Sequence, residues 1–340
     1  MSSTSDARIN WYHSPIERKV LQRLTARSDW RGLRQVVPQL ALAVATGAGA
    51  YYVARHFPWP AAAAVCYVHA TIYAFLGLGG AGHELSHGTP FKTKWLNEFF
   101  MMLVAFLTWT NYIHFRASHR KHHQYTVHAG LDMEVVLPLQ LRRFDWLFAF
   151  TANPFMLYHV LTTTARHSLG IIKGEWEERI FPESDTQGRR QLAIWARTLL
   201  IGHLLLAGAF IYFQQWILLA LVTFAPFYAG WLNFLCGFTQ HVGMMPNVPD
   251  FRCCCRSVAL NPLLRFLYWN MNYHVEHHMY AAVPFHHLPH LRAAIAHDLP
   301  PASPGLIAAW REILAVLRRQ QADPSAVVVA QLPDMKVPEG

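Results

Sequence analysis

The sequence predicts an all-α integral membrane protein: about four transmembrane helices in two hairpins, with a helical cap on the cytoplasmic side. Three observations carry this. Hydrophobic residues make up 53% of the 340-residue chain and charged residues only 14%, against about 25% charged in soluble domains. Apolar runs of about 20 residues, the length that crosses roughly 30 Å of hydrocarbon, recur along the chain. The lysines and arginines cluster outside those runs.

Residues 1–35 are polar and basic and lack the early apolar core of a signal peptide, so they form a cytoplasmic N-terminal segment. The membrane domain then covers residues 36–300. Its first two apolar runs, 36–57 and 60–82, are separated only by Pro58-Trp59-Pro60 and read as a spanning hairpin. A third run covers 96–113. A less apolar stretch, 145–172, is broken at Asn153-Pro154. Runs 192–213 and 216–238, joined by Gln214-Gln215, form the second hairpin. In 301–340, apolar residues at helical spacing from Leu306 to Leu317 mark an interfacial or docking helix, followed from Ala322 by a loose tail.

Charge orients this layout. Of the 29 lysines and arginines, 7, 12 and 8 fall in residues 1–35, 83–190 and 239–340, and the two hairpin links carry none. The positive-inside rule places both termini and the 83–190 segment in the cytoplasm. Run 96–113 must then be re-entrant or interfacial rather than spanning. The net charge of +9 comes without a dense basic block, which argues against a nucleic-acid partner. Five cysteines without a C-x-x-C exclude a zinc knuckle and a disulfide framework; Cys253-Cys254-Cys255 is a loop or a lipidation site.

Histidine carries the chemistry. His83-Glu84-Leu85-Ser86-His87 reads H-x-x-x-H, while His119-Arg120-Lys121-His122-His123 and His274-Val275-Glu276-His277-His278 both read H-x-x-H-H. Positions i, i+3 and i+4 share a helix face, so each cluster aims two or three imidazoles at one spot. Eight imidazoles fill much of the coordination of two metal ions, and imidazole suits iron, zinc and copper. Each cluster lies just past an apolar run on the cytoplasmic side. Glu84, Glu276 and Asp132 are candidates for orienting these rings through their second nitrogens.

On these motifs the chain resembles the membrane fatty acid desaturase and hydroxylase superfamily, whose members carry three histidine boxes around a di-iron centre. Phe115-Arg116, Asn272-Tyr273, Val283-Pro284-Phe285 and Leu288-Pro289 extend the likeness, which covers about residues 40–300. The resemblance implies a four-helix stalk and a cytoplasmic cap. It implies two iron ions held by His83, His87, His119, His122, His123, His274, His277 and His278, with dioxygen as co-substrate. It also implies a ninth ligand just past the last span, the place of His241, and makes Asn233 and Asn270 candidates for holding a metal-bound water. The activity implied is acyl-chain desaturation, with hydroxylation, hydrocarbon oxygenation or oxidative demethylation as the alternative on the same scaffold. The short first box departs from the spacing of acyl-CoA desaturases and leaves the substrate class open. The sequence shows no H-P-G-G segment, iron–sulfur cysteine set or G-x-G-x-x-G loop, so the expected electron donor is a separate ferredoxin or cytochrome b5 with its reductase. The expected location is a bacterial inner membrane rather than endoplasmic reticulum.

Two rival readings use the same residues. His83-Glu84-x-x-His87 is also the zinc-protease pattern, with Glu84 as general base, but that reading leaves the other clusters without a role. A metal or haem transporter would place its histidines within the spans, where mainly His69 and His203 lie; these two read better as packed, hydrogen-bonded side chains. His114, His128 and His159 read as supporting or merely polar residues, and His286, His287 and His290 as cap surface.

Overall fold

The computed structural model describes residues 8–333, and among them every regular element is helical, with β-contacts limited to isolated bridges. Three segments are long and apolar enough to cross a membrane: Asp29–His56, Trp59–Ser86 and Thr186–Tyr212. A short α1 (Arg18–Leu24) precedes the first of them, α2 (Asp29–His56). Ser28 caps α2 by accepting from the Arg31 amide, so the helix starts inside the expected N-terminal segment. Proline at 58 ends α2 because the residue before a proline avoids helical geometry. Pro60, in the first turn of α3 (Trp59–Tyr73), suits a helix start. The two helices pack as a hairpin.

A 3-10 turn, Ala74–Leu76, leads from α3 into α4 (Ala81–Ser86). The join depends on glycine: a Cβ at Gly80 would lie 2.2 Å from the Phe75 carbonyl oxygen. Helix α5 (Lys94–Leu107) folds back on α4, and Asn97 donates to the Leu85 carbonyl at 2.8 Å. Its 14 residues are fewer than the about 20 that a crossing needs. Asn111 then caps α6 (Tyr112–Tyr125). The stretch interrupted at Asn153-Pro154 becomes α7 (Arg143–Phe150) and α8 (Pro154–Ser168), with Asn153 as the α8 cap. After α9 (Glu175–Ile180), α10 (Thr186–Tyr212) runs back along α8.

The fourth expected span, 216–238, is not one helix. It breaks into a π-turn at Leu219–Thr223, a 3-10 turn at Ala225–Phe227 and α11 (Trp231–Gly237). Pro226 has no amide to donate. The carbonyls that the break exposes go to side chains of other segments. His69 meets Leu221 O at 2.8 Å, Trp109 Nε1 donates to Thr223 O at 2.8 Å, and Thr71 donates to Ala229 O at 3.1 Å. His203 likewise meets Phe106 O at 2.8 Å, stacked on Trp109. Irregular backbone at membrane depth survives where protein satisfies it, and both intramembrane histidines do this. The two hairpin links lie together: Tyr51 donates to Gln215 at 2.6 Å, beside the exposed aromatics Phe57, Trp59, Tyr212, Phe213 and Trp216.

The remaining helices are α12 (Phe251–Cys254), α13 (Pro262–Leu267), α14 (His274–Met279), α15 (Leu288–Ala294) and α16 (Leu306–Gln320). Val275, Leu288, Leu291 and Ile295 share a core with α1 and with Trp11, which stacks on Phe251 at 4.1 Å. The N-terminal segment is therefore packed against α12, α14 and α15. Helix α16 buries Trp310 and Ile313 against Val242 and Phe234. The part of the expected loose tail that lies within the described residues is held, with the Val328 amide donating to Gly243 O at 2.7 Å. Residues 334–340 of that tail, and 1–7 of the N-terminal segment, lie outside the described residues.

Candidate metal centre

Three short helical pieces aim the histidines inward. Helix α4 and its C-cap carry His83 and His87, α6 carries His119, His122 and His123, and α14 carries His274, His277 and His278. His241 joins them from the turn after α11. The nine fall into two groups. One ring nitrogen each of His83, His87, His119, His123 and His277 lies within 4.8 Å of the others, and so do those of His122, His241, His274 and His278. Helical period explains the split. In each H-x-x-H-H motif the i and i+4 rings differ by about 40° and the i+3 ring sits to the other side. His119 and His123 therefore serve one group and His122 the other; His274 and His278 serve the second and His277 the first.

Hydrogen bonds behind the rings fix which nitrogens face inward. His119 Nδ1 lies 2.7 Å from Glu134, His122 Nδ1 2.8 Å from Asp132 and His241 Nδ1 3.0 Å from the Cys254 carbonyl. Glu84 lies 3.3 Å from His277 Nδ1 without completing a hydrogen bond, so this ring's tautomer is not fixed in that way. Thr126 gives its hydroxyl proton to His122 O and so accepts from His278 Nδ1 at 3.1 Å. Carboxylates and carbonyls only accept, so in His119, His122, His241 and His278 the protons are assigned to Nδ1 and the Nε2 atoms carry lone pairs. The Nε2 atoms crowd together: that of His83 is 3.0 Å from that of His119 and 3.2 Å from that of His277, and His241 and His274 approach to 2.9 Å. His83 has one proton at most for Nε2, yet two ring nitrogens face it. Buried His87 Nε2 and His278 Nε2 have no partner at all. A cation held among these nitrogens would accept lone pairs that find no donor in the protein. The donor set fits two metal ions.

Protonation states agree for six of the rings. Burial, reinforced by neighbouring imidazoles, holds His119, His123, His274, His277 and His278 well below the ordinary histidine range. Burial and the proximity of His122 push His241 down to about 3. Neutral imidazole is the ligand form. His122 moves up: burial opposes its charge, but the hydrogen bond and charge of Asp132 outweigh burial.

The supporting residues differ in part from those the sequence marks. Asp132 and Glu84 face imidazoles. Glu276 does not: it takes hydrogen bonds from Ser257 at 2.6 Å and from Arg292. It sits on the back of α14, about 200° from His274. Asn270 donates to Phe285 O at 3.1 Å and Asn233 to Gly79 O at 3.0 Å, so both amides brace backbone. Glu134, Thr126 and the Cys254 carbonyl went unmarked. Of these only Glu134 leaves a trace in sequence, as the second acid of Asp132-Met133-Glu134. His286 and His287 lie outside both groups, and Arg31 reaches His287 at 2.8 Å. His128 bonds its own loop, and His114 lies beside His167.

A cavity of about 1170 Å³ adjoins the first group. Phe115 lines it and stacks on His119 at 4.8 Å. Leu78, Trp109, Phe144, Phe148 and Phe234 continue its largely apolar wall.

Comparison with known proteins gives consistent matches. The family model for fatty acid desaturases matches residues 57–310. A fatty acid conjugase of Calendula officinalis is 24% identical over 279 residues, 70% of this chain and 71% of the relative. A chloroplastic omega-3 fatty acid desaturase of Brassica napus is 25% identical over 282 residues, 77% of this chain and 67% of the relative. A Delta(9) fatty acid conjugase-like enzyme of Dimorphotheca sinuata is 24% identical over 287 residues, 71% and 72% of the two chains.

Proposed function

The chain belongs to the fatty acid desaturase family, and from that premise we propose that it is an O2-dependent oxidoreductase that introduces a C=C bond into an acyl chain. The observation that carries this reading is the convergence of nine imidazoles next to a largely apolar cavity of about 1170 Å³, linked to it by Phe115. His83, His87, His119, His123 and His277 would hold one iron, and His122, His241, His274 and His278 the other. When bound, the irons supply the O2-derived oxidant that removes two hydrogens from neighbouring carbons of an unactivated chain.

The protein's own part is placement. The aromatic wall takes the chain out of water and lays it past Phe115, next to His119. Glu134 and Asp132 keep the His119 and His122 rings in the lone-pair-inward tautomer. The cavity exceeds the roughly 300–1,000 Å³ of drug-sized sites, which suits a long chain. With the interrupted 216–238 segment as a fourth crossing, both termini and the histidine-bearing helices would share one side, and the distribution of lysines and arginines favours the cytoplasm, where a separate ferredoxin or cytochrome b5 would deliver two electrons. A bacterial inner membrane suits this arrangement.

Iron-loaded protein in phospholipid vesicles, given O2 and a reduced ferredoxin, should yield acyl chains lighter by two hydrogens in mass spectrometry. His278→Ala protein should yield none. Chains gaining one oxygen instead would establish a hydroxylase, and no acyl product from any lipid would reject the reading.

A further inference from the structure

We propose that the C-terminal segment, α16 with residues 326–330, is a splint that positions the turn carrying His241. The proposal rests on the two-metal reading above. His241 alone among the nine lies on an irregular turn rather than on a box helix or its cap. Irregular turns hold a side chain in place only where something else fixes their backbone.

Here the C-terminal segment does so at four points. Trp310 Nε1 donates to Leu235 O at 2.9 Å, at the end of α11. Glu312 accepts from Arg256 Nε at 2.8 Å, and Arg256 Nη1 reaches the carbonyls on either side of His241, Thr239 O at 2.8 Å and Val242 O at 3.0 Å. Gly243 has φ +77°, and Val316 packs so close that a Cβ there would lie 2.3 Å from its Cγ1. The Val328 amide donates to Gly243 O at 2.7 Å. The Arg256 amide also donates to Gln240 O at 2.8 Å, so one residue holds three carbonyls of the turn. Arg256 is only 5% exposed, which makes its Glu312 partner the link between helix and turn. His122, His274 and His278, the other members of that group, sit on their own helices. Arg256 and Glu312 are thus positioning residues for one metal and not the other.

The test is ferrous iron bound per chain in the full-length protein, in detergent. The parent should bind about two irons, one per histidine group. Arg256→Ala and Glu312→Ala should bind about one. Glu312→Gln, which keeps an acceptor for Arg256 Nε, should retain both. Amide exchange of metal-free protein gives a second reading: residues 239–244 should exchange about tenfold faster or more in Glu312→Ala, with α6 and α14 unchanged. Two irons retained by both alanine variants, or equal loss from both sites, would overturn the proposal. If the parent itself binds fewer than two, the metal reading fails, and unchanged exchange at 239–244 would then overturn the splint on its own.

Discussion

Nine imidazoles cannot all turn lone pairs inward at this spacing unless cations lie between them, and for His119, His122, His241 and His278 an acceptor behind the ring decides which nitrogen turns inward. Asp132 and Glu134 should therefore matter without touching metal. Asp132→Asn or Glu134→Gln should lower iron affinity about 10–100-fold, measured by competition with a chelator, with helix content unchanged. Undiminished affinity in both would remove these carboxylates from the account. His286→Ala should leave iron content unaltered, because His286 belongs to neither group; loss of iron there would mean that the groups are wrongly drawn. The eight box histidines were legible in the sequence because helical period converts spacing into a shared face. Glu134 was not, because an acid in a loop has no period to betray its aim. Glu276 misled for the complementary reason: it is next to ligands in sequence but on the opposite side of α14.

Apolar length foretold helices, and it did so correctly where the backbone is regular. It failed at 216–238, because hydropathy sums composition and does not register Pro226 or the side chains that absorb the exposed carbonyls. His69 and Trp109 do that work from other segments, and neither is adjacent in sequence. His69→Phe should destabilise the fold by about 1–3 kcal/mol, the cost of an unsatisfied buried carbonyl, read as a lower midpoint of thermal unfolding. The α8–α9 junction carries a pH dependence. Burial works against the Glu177 charge, but His167, the Lys173 amide and Arg166 outweigh it and hold its carboxyl at about 2. The unfolded chain takes up this proton near pH 4.5 and the folded one only near 2, so the contribution is full above 4.5 and lost as pH falls towards 2. Glu177→Gln should flatten the fall in unfolding midpoint across that window; an unchanged slope would contradict the assignment.

Taken whole, the molecule gathers its nine candidate ligands from the end of its second candidate span, at His83 and His87, and from α6, α14 and the turn at His241 that follow it in the chain. The outer face of α10, with Ile201, Leu204 and Leu205 exposed, is a surface that lipid would cover. A cysteine at position 214 and one at position 321 should react with impermeant reagents from opposite sides of sealed vesicles; labelling from the same side would overturn the topology. The packing around α14 was less legible than the long apolar helices, since Trp11, α1, α12 and α15 assemble through contacts distant in sequence. The central claim is that the two histidine groups are two iron sites. Anomalous diffraction at the iron absorption edge, from crystals of the iron-loaded protein, addresses it most directly. The account requires two peaks, one enclosed by His83, His87, His119, His123 and His277 and one by His122, His241, His274 and His278. A single peak, or iron located away from these rings, would contradict it.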